Sequence, residues 1–284
     1  MDLWFSEYHT KNVRLSIRVD KQVYSAQSEF QRIDVFDSPE FGRFLALDGY
    51  MMLTERDEFI YHEMMVHAPM AVHPNVERVL VIGAGDGGVA RELIKYDSVK
   101  HIDLVEIDQQ VVEVCRKYFP FTGESLDDER VHIHFEDGIR FVRPKVDEYD
   151  LIIVDSTDPF GPGEGLLTKE FYGNCFKALR EDGIMVNQHE SPFYKEDAQA
   201  VQRAHKRIVQ SFALSMVYQA HIPTYPSGHW LFGFSTKKYH PLNDFRGKDW
   251  KALGIKTRYY NTQLHTGSFA LPNYVEDLLK NVEE

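Results

Sequence analysis

The sequence contains few cysteines and no long apolar run. Its two cysteines, Cys115 and Cys175, each fall in a stretch typical of an amphipathic helix, so we expect reduced, buried thiols and no disulfide framework. No apolar run approaches the roughly 20 residues that a membrane-spanning helix needs. The N-terminal stretch MDLWFSEYHTK lacks a basic region followed by an apolar run, so we expect no signal peptide. These absences predict a soluble, cytoplasmic protein.

The chain also lacks an excess of positive charge. Lysine and arginine total 32 against 44 aspartates and glutamates, which gives a net charge of −12. Such a surface repels the phosphates of nucleic acids and of anionic lipids, so neither nucleic acid nor a membrane is an expected partner. Many proteins have an acidic surface only because it keeps them soluble. The net charge by itself therefore does not identify a function.

The first fifty or so residues have the pattern of a small antiparallel sheet. Apolar and polar residues alternate at Val13–Tyr24 and at Gln31–Phe36. The segments Gly42–Leu47 and Tyr50–Leu53 flank the tight turn Asp48–Gly49. We assign residues 1–56 to a small N-terminal β domain. A predicted helix, Glu58–Met70, leads out of it.

From Arg78 onward, short apolar runs alternate with amphipathic helical segments. The predicted strands are Arg78–Ile82, Ile102–Ile107, Val131–Phe135, Leu151–Asp155 and Gly183–Gln188. Helices are predicted at Gly87–Lys95, Gln109–Tyr118 and Glu170–Leu179. This alternation predicts an α/β fold over residues 57–284, with a doubly wound parallel sheet between two layers of helices. In such sheets ligands bind outside the carboxyl ends of the strands, near the point where the strand order reverses.

The first strand of this region leads into the glycine loop Gly83–Gly88, with the sequence GAGDGG. The loop satisfies G-x-G-x-x-G between a strand and a helix, although a tight turn without a ligand is the alternative. Glu106 ends the second strand, 18 residues beyond Gly88, and can accept both hydroxyl hydrogens of a ribose. Asp137, in the EDG after the third strand, can accept a hydrogen bond from an adenine amine or can simply belong to a turn. The pattern predicts an adenosine-bearing cofactor.

Asp86 indicates which adenosine cofactor fits. It lies inside the glycine loop, beside the helix N-terminus where a dinucleotide would place its pyrophosphate, and its carboxylate would repel that group. The same carboxylate attracts a cofactor with a positive centre and no phosphate, by roughly 1–4 kcal/mol at about 4 Å. S-Adenosylmethionine and its relatives carry such a sulfonium. We therefore prefer a sulfonium cofactor to a nicotinamide dinucleotide.

A second group of acids follows the fourth strand. Asp155 and Asp158 begin the segment DSTDPFGPGEG, whose proline and glycine content is typical of a loop that covers a pocket. We expect both acids to face the same crevice as Asp86. Because like charges at close range destabilise one another, the cluster predicts a positively charged substrate. Capping or turn roles for Asp155 and Asp158 are the alternatives.

Eight short motifs occur in a fixed order along the chain: LDG, TERDEF, YHEM, GAGDGG, VEID, EDG, DSTDPFGP and IPTYPSG. Together they resemble the polyamine aminopropyltransferases over nearly the whole chain, most closely the members that make spermidine. The resemblance implies a Rossmann-like domain of the S-adenosylmethionine methyltransferase type after a small β domain. It also implies transfer of an aminopropyl group from decarboxylated S-adenosylmethionine, a co-substrate, to putrescine, with no prosthetic group. Ala84, where many members have glycine, is a small departure.

Site roles follow from the matching motifs. The resemblance implies that the nucleoside part of the donor is held by Gln31, Glu106, Asp137, Gly138 and Pro162. It implies that Asp86 and Asp155 meet the amine end of the aminopropyl group or the reacting amine, and that Asp155 is the general base. The residues expected along the diamine channel are Tyr61, His62, Asp158, Gln188 and Tyr225, with Trp4 near its far end.

Several alternatives stay open. A methyltransferase on the same fold and a catalytically silent polyamine-binding protein are the two competing functions. The acceptor can be putrescine, cadaverine, agmatine or spermidine, and the resemblance implies a homodimer or homotetramer without fixing which. His62 and His67 are five residues apart, whereas H-E-x-x-H places its histidines at i and i+4, so we expect no metal site.

Overall fold

The computed structural model describes residues 2–156, 165–166 and 168–283. Six strands precede the first helix, namely β1 (Leu3–Thr10), β2 (Val13–Val19), β3 (Lys21–Gln27), β4 (Arg32–Ser38), β5 (Gly42–Leu47) and β6 (Tyr50–Thr54). β1 and β2 form an antiparallel hairpin, and β3 to β6 form a four-stranded antiparallel sheet in chain order. The small antiparallel β structure predicted for the N-terminal region is confirmed.

Two details of this region differ from the sequence prediction. The run predicted as one strand, Val13–Tyr24, is divided between β2 and β3, because the chain bends at Asp20, whose N–H donates to Asp37 O at 2.8 Å. β1 was not predicted. The tight turn was predicted correctly, since Asp48 and Gly49 both have positive φ angles, 51° and 88°, as a two-residue hairpin turn requires.

The remaining chain alternates strands and helices. The helices are α1 (Glu58–Met70), α2 (Gly88–Leu93), α3 (Gln109–Tyr118), α4 (Pro120–Gly123), α5 (Gly138–Val142), α6 (Lys169–Ala178), α7 (Lys195–Val209), α8 (Gly247–Ala252), α9 (Thr262–Ser268) and α10 (Asn273–Glu283). The strands are β7 (Arg78–Gly83), β8 (His101–Val105), β9 (Val131–His134), β10 (Tyr149–Asp155), β11 (Leu179–Glu190), β12 (Leu214–His221) and β13 (His229–Thr236).

These seven strands form one mixed sheet in the order β12-β13-β11-β10-β7-β8-β9. The strands β7 to β11 are parallel, as predicted, whereas β13 runs antiparallel to both β11 and β12. The antiparallel pair was missed. Its strands are joined by the short segment 222–228, which is too short for the crossover that parallel neighbours need.

Buried side chains alternate between the two faces of this sheet. Val79 and Val81 pack with α1 and α2 on one face, and Leu80 and Ile82 pack with α6 on the other. The four-stranded sheet packs on α3, where Cys115 lies buried. Both cysteines are free and buried, as expected. Among the described residues, none of the helices has the length and apolar character needed to cross a bilayer.

The strand order reverses between β7 and β10, and this position determines where the site forms. Successive strands β8 and β9 lie on one side of β7, whereas β10 lies on the other, so a crevice opens beyond the carboxyl ends of β7 and β10. Asp155 and Gly83 end these strands in direct register. A Cβ atom on Gly83 would lie 1.8 Å from the carbonyl oxygen of Asp155, so only glycine permits this approach.

Candidate active site

A cavity of about 1280 Å³, part of it open to solvent, occupies this crevice. Its wall includes ten of the residues singled out from the sequence: Gln31, Tyr61, His62, Asp86, Glu106, Asp137, Gly138, Asp155, Gln188 and Tyr225. Four structural elements that are distant in the chain therefore converge on one space: the small sheet, α1, the carboxyl ends of the parallel strands and the loop before β13.

Three predicted site residues are not part of this wall. Asp158 and Pro162 lie outside the described residues. Trp4 lies on β1 with 56% of its surface exposed, and it does not line the cavity. Its predicted place near the far end of a channel stays a prediction.

Glu106 lies at one end of the cavity, with both carboxylate oxygens held by the backbone. Oε2 accepts the N–H of Gly85 at 3.2 Å, and Oε1 accepts the N–H of Asp108 at 2.9 Å. Burial raises the pKa of Glu106 to about 7 despite these two hydrogen bonds, and the charges of Asp108 and Asp155 act in the same direction as burial. The two backbone hydrogen bonds thus fix the orientation of the carboxylate, which suits the recognition of a diol.

Gln31 and Asp137 complete the same end of the cavity. Gln31 belongs to the loop before β4, and its Nε2 donates to Asp108 Oδ2 at 3.1 Å, which connects the small sheet to the end of β8. Asp137 precedes α5 and caps it by accepting the N–H of Ile139 at 2.8 Å through Oδ1. The turn alternative for Asp137 is therefore part of its role, while its position in the cavity wall also agrees with a binding role.

Asp155 and Tyr61 form the centre of the cavity. The Tyr61 hydroxyl donates to Asp155 Oδ1 at 2.6 Å. Burial and the neighbouring charge of Asp86 raise the pKa of Asp155 to about 6, although His62 and the Tyr61 hydrogen bond oppose the shift. Burial, together with Asp155, raises the pKa of Tyr61 well above its ordinary value, so this hydroxyl remains a donor. The pair presents an oriented carboxylate whose pKa is close to neutral.

Asp86 belongs to the glycine loop, and one of its carboxylate oxygens lies within 4.8 Å of one of the carboxylate oxygens of Asp155. Its Oδ1 accepts the N–H of Gly88 at 2.5 Å and lies 3.5 Å from Nε2 of His62. Although burial favours the neutral acid, His62 and Gly88 hold the pKa of Asp86 below its ordinary value. Because both contacts use Oδ1, the other oxygen remains available to a ligand.

His62 lies between two carboxylates. Its Nδ1 is 2.6 Å from Glu58 Oε2, and its Nε2 faces Asp86. Burial lowers the pKa of His62, but Asp86 and Glu58 outweigh it and raise that pKa to about 10. The imidazole is therefore a cation at neutral pH, with an N–H donor on each side.

The described residues include one group of side chains close enough to share a metal ion: His62, Asp86 and Asp155, with ligand atoms within 4.8 Å of one another. Both ring nitrogens of His62 face carboxylates, Nδ1 towards Glu58 and Nε2 towards Asp86. We therefore interpret the trio as an acidic cluster with one built-in cation, suited to an organic ammonium.

Another part of the cavity wall is largely aromatic. Tyr225 packs 5.9 Å from Tyr61 and 4.7 Å from Trp230, ring centre to ring centre, and its hydroxyl donates to Met52 O at 2.7 Å. Gln188 is held through Nε2 by Ser156 O at 3.3 Å and by Glu190 Oε1 at 2.9 Å. An aromatic wall with a few polar groups can accommodate the methylene chain of an amine.

Sequence reasoning missed several residues of the wall, including Glu7, Tyr50, Met52 and Trp230. Glu7 is buried and accepts the N–H of Met51 at 2.6 Å, which connects the β1–β2 hairpin to β6 beside the cavity. No motif marks these residues: Glu7, Tyr50 and Met52 reach the cavity through the packing of the N-terminal strands, and Trp230 reaches it from β13, a strand that was not predicted.

Comparison with known proteins agrees with this geometry. Residues 58–246 match the family model described as the spermine/spermidine synthase domain, and residues 3–55 match the spermidine synthase tetramerisation domain. The chain is 64% identical to the polyamine aminopropyltransferase of Clostridium beijerinckii and 65% identical to that of Alkaliphilus oremlandii, with 100% of each chain covered.

Two solved structures are also similar. The spermidine synthase from Thermotoga maritima superposes with a TM-score of 0.94 at 44% identity, over 98% of this chain and 94% of that one. A spermidine synthase in complex with the transition-state analogue AdoDATO gives a TM-score of 0.96 at 44% identity, over 98% of this chain and 95% of the other. The fold, the cavity and these relatives together define an alkyl-transferring enzyme on a Rossmann-like sheet.

The chain belongs to the spermine/spermidine synthase family. The predicted class, a polyamine aminopropyltransferase with a small antiparallel β region before a Rossmann-like sheet, is thereby confirmed.

Proposed function

We propose that this enzyme is a spermidine synthase, which transfers the aminopropyl group of decarboxylated S-adenosylmethionine to putrescine. The amine nitrogen attacks the methylene carbon of the aminopropyl group that is bonded to the sulfonium sulfur. A C–N bond forms, the C–S bond breaks, and its electron pair goes to sulfur, which becomes the neutral thioether of S-methyl-5'-thioadenosine. Asp155 accepts the proton that the amine must lose. The second product is spermidine.

The observation that carries this proposal is the environment of Asp155. A primary amine has a pKa near 10 and is a nucleophile only when neutral, so the reaction needs a proton acceptor. Asp155 has a pKa of about 6, is oriented by Tyr61 and lines the cavity that also contains Asp86 and Glu106. Because the leaving group becomes neutral, no oxyanion hole is required, and rate acceleration comes from positioning and general base assistance.

The donor fits the end of the cavity at Glu106. In this proposal Glu106 accepts the ribose hydroxyls, Asp137 and Gly138 meet the adenine, and Gln31 closes the pocket from the small sheet. Pro162 is proposed to complete the adenine side. Asp86 then meets the free ammonium of the aminopropyl group, a contact that an intact methionine carboxylate would disrupt by charge repulsion.

The acceptor fits the aromatic end of the cavity. Gln188 and Tyr225 line it, and Asp158 and Trp4 are proposed to meet the distal part of the diamine. The preference for putrescine over cadaverine, agmatine or spermidine belongs to the proposal. We expect the purified enzyme, offered these four amines in competition for limiting donor, to form mainly spermidine and methylthioadenosine. Consumption of another amine at a higher kcat/KM would overturn the choice of putrescine.

Glu106 leads to a prediction about pH. Both of its oxygens can accept hydroxyl hydrogens from a ribose only when the group is ionised, and its pKa is about 7. The ionised fraction increases as pH rises through 7, so the affinity for methylthioadenosine should increase by up to about tenfold over this range. Titration calorimetry between about pH 6 and about pH 8 measures this change. A Glu106→Gln enzyme should bind more weakly and without the pH dependence, and a pH dependence retained in that variant would contradict the assignment.

A homodimer or homotetramer is part of the proposal. The residues matched by the tetramerisation model include a hairpin with exposed apolar side chains, among them Leu3 at 49% and Tyr8 at 58%. We expect light scattering to give two or four chains per particle, and Tyr8→Glu to shift the mass towards the single chain. A wild-type mass of one chain would contradict this.

A cytoplasmic location is also proposed, supported by two free buried thiols.

A further inference from the structure

A row of side chains with alternating charge leads from α2 to the acidic centre of the cavity. Arg91 clamps Glu58 with two hydrogen bonds, from Nη1 to Oε1 at 2.7 Å and from Nη2 to Oε2 at 2.9 Å. Glu58 Oε2 is 2.6 Å from Nδ1 of His62, and Nε2 of His62 is 3.5 Å from Asp86 Oδ1. Asp155 lies next in this row. One of its carboxylate oxygens, a ring nitrogen of His62 and a carboxylate oxygen of Asp86 all lie within 4.8 Å of one another.

The row depends on the close packing of α1 and α2. Glu58 and His62 are four residues apart on α1 and therefore lie on one face of the helix, towards Arg91 of α2. A Cβ atom on Gly88 would lie only 2.2 Å from Cε1 of His62, so the ring occupies the space that a side chain would fill at the start of α2. Glu58 and His62 are almost completely buried, with side-chain exposures of 3% each.

This placement determines the protonation of His62. Each ring nitrogen faces a carboxylate, and a neutral imidazole would turn the lone pair of one nitrogen towards an anion. Burial alone would remove the charge, so the cation exists because Glu58 and Asp86 flank it. Glu58 in turn stays ionised although it is buried, because His62 and Arg91 hold its pKa below the ordinary value.

We infer that Glu58 and Arg91 are positioning residues that keep His62 charged, and that the His62 cation keeps Asp155 ionised beside Asp86 at neutral pH. The inference rests on the proposed role of Asp155 as general base. His62 then has no free lone pair for an amine, and it acts through the two aspartates instead of accepting the proton itself.

The charges around the cluster support this role. Among the described residues, the titratable side chains that face it from the surrounding elements are Glu58 and Tyr61 of α1, Asp86, Arg91 of α2, Glu106 after β8, Cys115 of α3, Asp155 of β10 and Tyr225. Within the part of the chain that the structure describes, His62 is the one cation with a nitrogen within 4 Å of an Asp86 oxygen. Among the described residues, the charge of Asp86 raises the pKa of Asp155 and the charge of His62 lowers it.

Glu58→Gln tests the inference directly. The amide keeps the size of the side chain but removes the negative charge that stabilises the His62 cation. Asp155 then loses its opposing charge, so the acid limb of the pH profile of kcat/KM for the amine should move up by about one to three pH units. The rate should recover towards the wild-type value at high pH. An acid limb that stays in place, with a rate lowered equally at every pH, would overturn the inference.

Arg91 supplies a graded version of the same test. Arg91→Met removes the clamp on Glu58 and should move the acid limb in the same direction, whereas Arg91→Lys keeps the charge without the two-point clamp and should restore part of the wild-type profile. Identical profiles for the Met and Lys variants, both displaced, would show that the charge of residue 91 is not what matters and would count against the inference.

Glu63→Gln is the matched control on the same helix. Glu63 is also buried in α1, but its carboxylate accepts the N–H groups of Arg258, Tyr259 and Tyr260 at 2.7 to 2.8 Å, whereas the His62 ring is bound by Glu58 and Asp86. This variant should lower the melting temperature and leave the acid limb in place. An equal displacement in Glu63→Gln would show that the shift is a general effect of altering α1, and would overturn the inference.

Nuclear magnetic resonance of the His62 ring separates this inference from the proposed function. The wild-type ring, assigned with a His62→Asn enzyme, should stay doubly protonated up to about pH 9, whereas in Glu58→Gln it should lose a proton near neutral pH. A wild-type ring that titrates near neutrality overturns the inference, even if Asp155 is the base. Full activity of Asp155→Asn instead overturns the base, while the persistent charge of His62 would stand.

Discussion

Asp155→Asn is expected to lower kcat by about 10²–10⁴-fold, the usual contribution of a general base. The asparagine keeps the shape of the side chain and can still meet the Tyr61 hydroxyl, but it cannot accept a proton. Single-turnover kinetics with saturating donor and amine measures the effect on the chemical step itself.

The fold should not suffer from this change. The pKa of Asp155 is raised from 3.8 to about 6, so the ionised carboxylate is less favourable in the folded protein than in the unfolded chain. Its cost to stability is absent below the unfolded pKa and is fully present once pH exceeds about 6. The melting temperature of Asp155→Asn at pH 8 should therefore equal or exceed that of the wild type.

Asp150→Asn is the matched control on the same strand. Asp150 is buried near the other end of β10, where its Oδ2 accepts the N–H groups of Glu77 and Arg78 at 2.9 and 2.8 Å and its Oδ1 binds Arg180 at 2.7 Å. Its loss should lower the melting temperature and spare kcat. Wild-type turnover in Asp155→Asn, or an equal loss in both variants, would remove Asp155 as the base.

Asp86→Asn is expected to weaken the binding of decarboxylated S-adenosylmethionine by about 10- to 100-fold, equivalent to roughly 1.5–3 kcal/mol for one charged hydrogen bond. The wild type should prefer this donor to intact S-adenosylmethionine, because the intact form brings a carboxylate towards Asp86. The variant should reduce that preference. Titration calorimetry with both forms gives the two affinities.

Methylthioadenosine is the matched control ligand for this prediction. It carries the nucleoside but neither the ammonium nor the sulfonium charge, so Asp86→Asn should leave its affinity almost unchanged. Tighter wild-type binding of intact S-adenosylmethionine, or an equal loss of methylthioadenosine binding, would contradict the assigned contact.

Local pattern was sufficient to predict much of the architecture. The predicted bounds of α1 (Glu58–Met70) and α3 (Gln109–Tyr118) agree with the structure, as do those of β5. The turn at Asp48–Gly49 was also predicted, since it depends on two residues that adopt positive φ easily. Such features depend on residues that are close to one another along the chain, and the sequence shows those residues directly.

Strands near the two ends of the chain were harder to predict. β12 and β13 reverse the direction of the sheet at its edge, and β1 forms a hairpin on a separate two-stranded sheet. The partners of these strands are chosen by burial against other elements, so the apolar pattern of each segment alone does not specify them.

The sequence by itself determined the acidic pocket: a glycine loop with Asp86 inside it, Glu106 after the next strand and Asp155 at the end of a buried strand, all at the edge of a parallel sheet where ligands bind. Only the tertiary structure decided the charges within that pocket. Tyr61 meets Asp155 across 94 residues of chain, and Arg91 meets Glu58 across 33. Protonation depends on burial and on charges a few ångströms away, and only the folded chain brings those groups together.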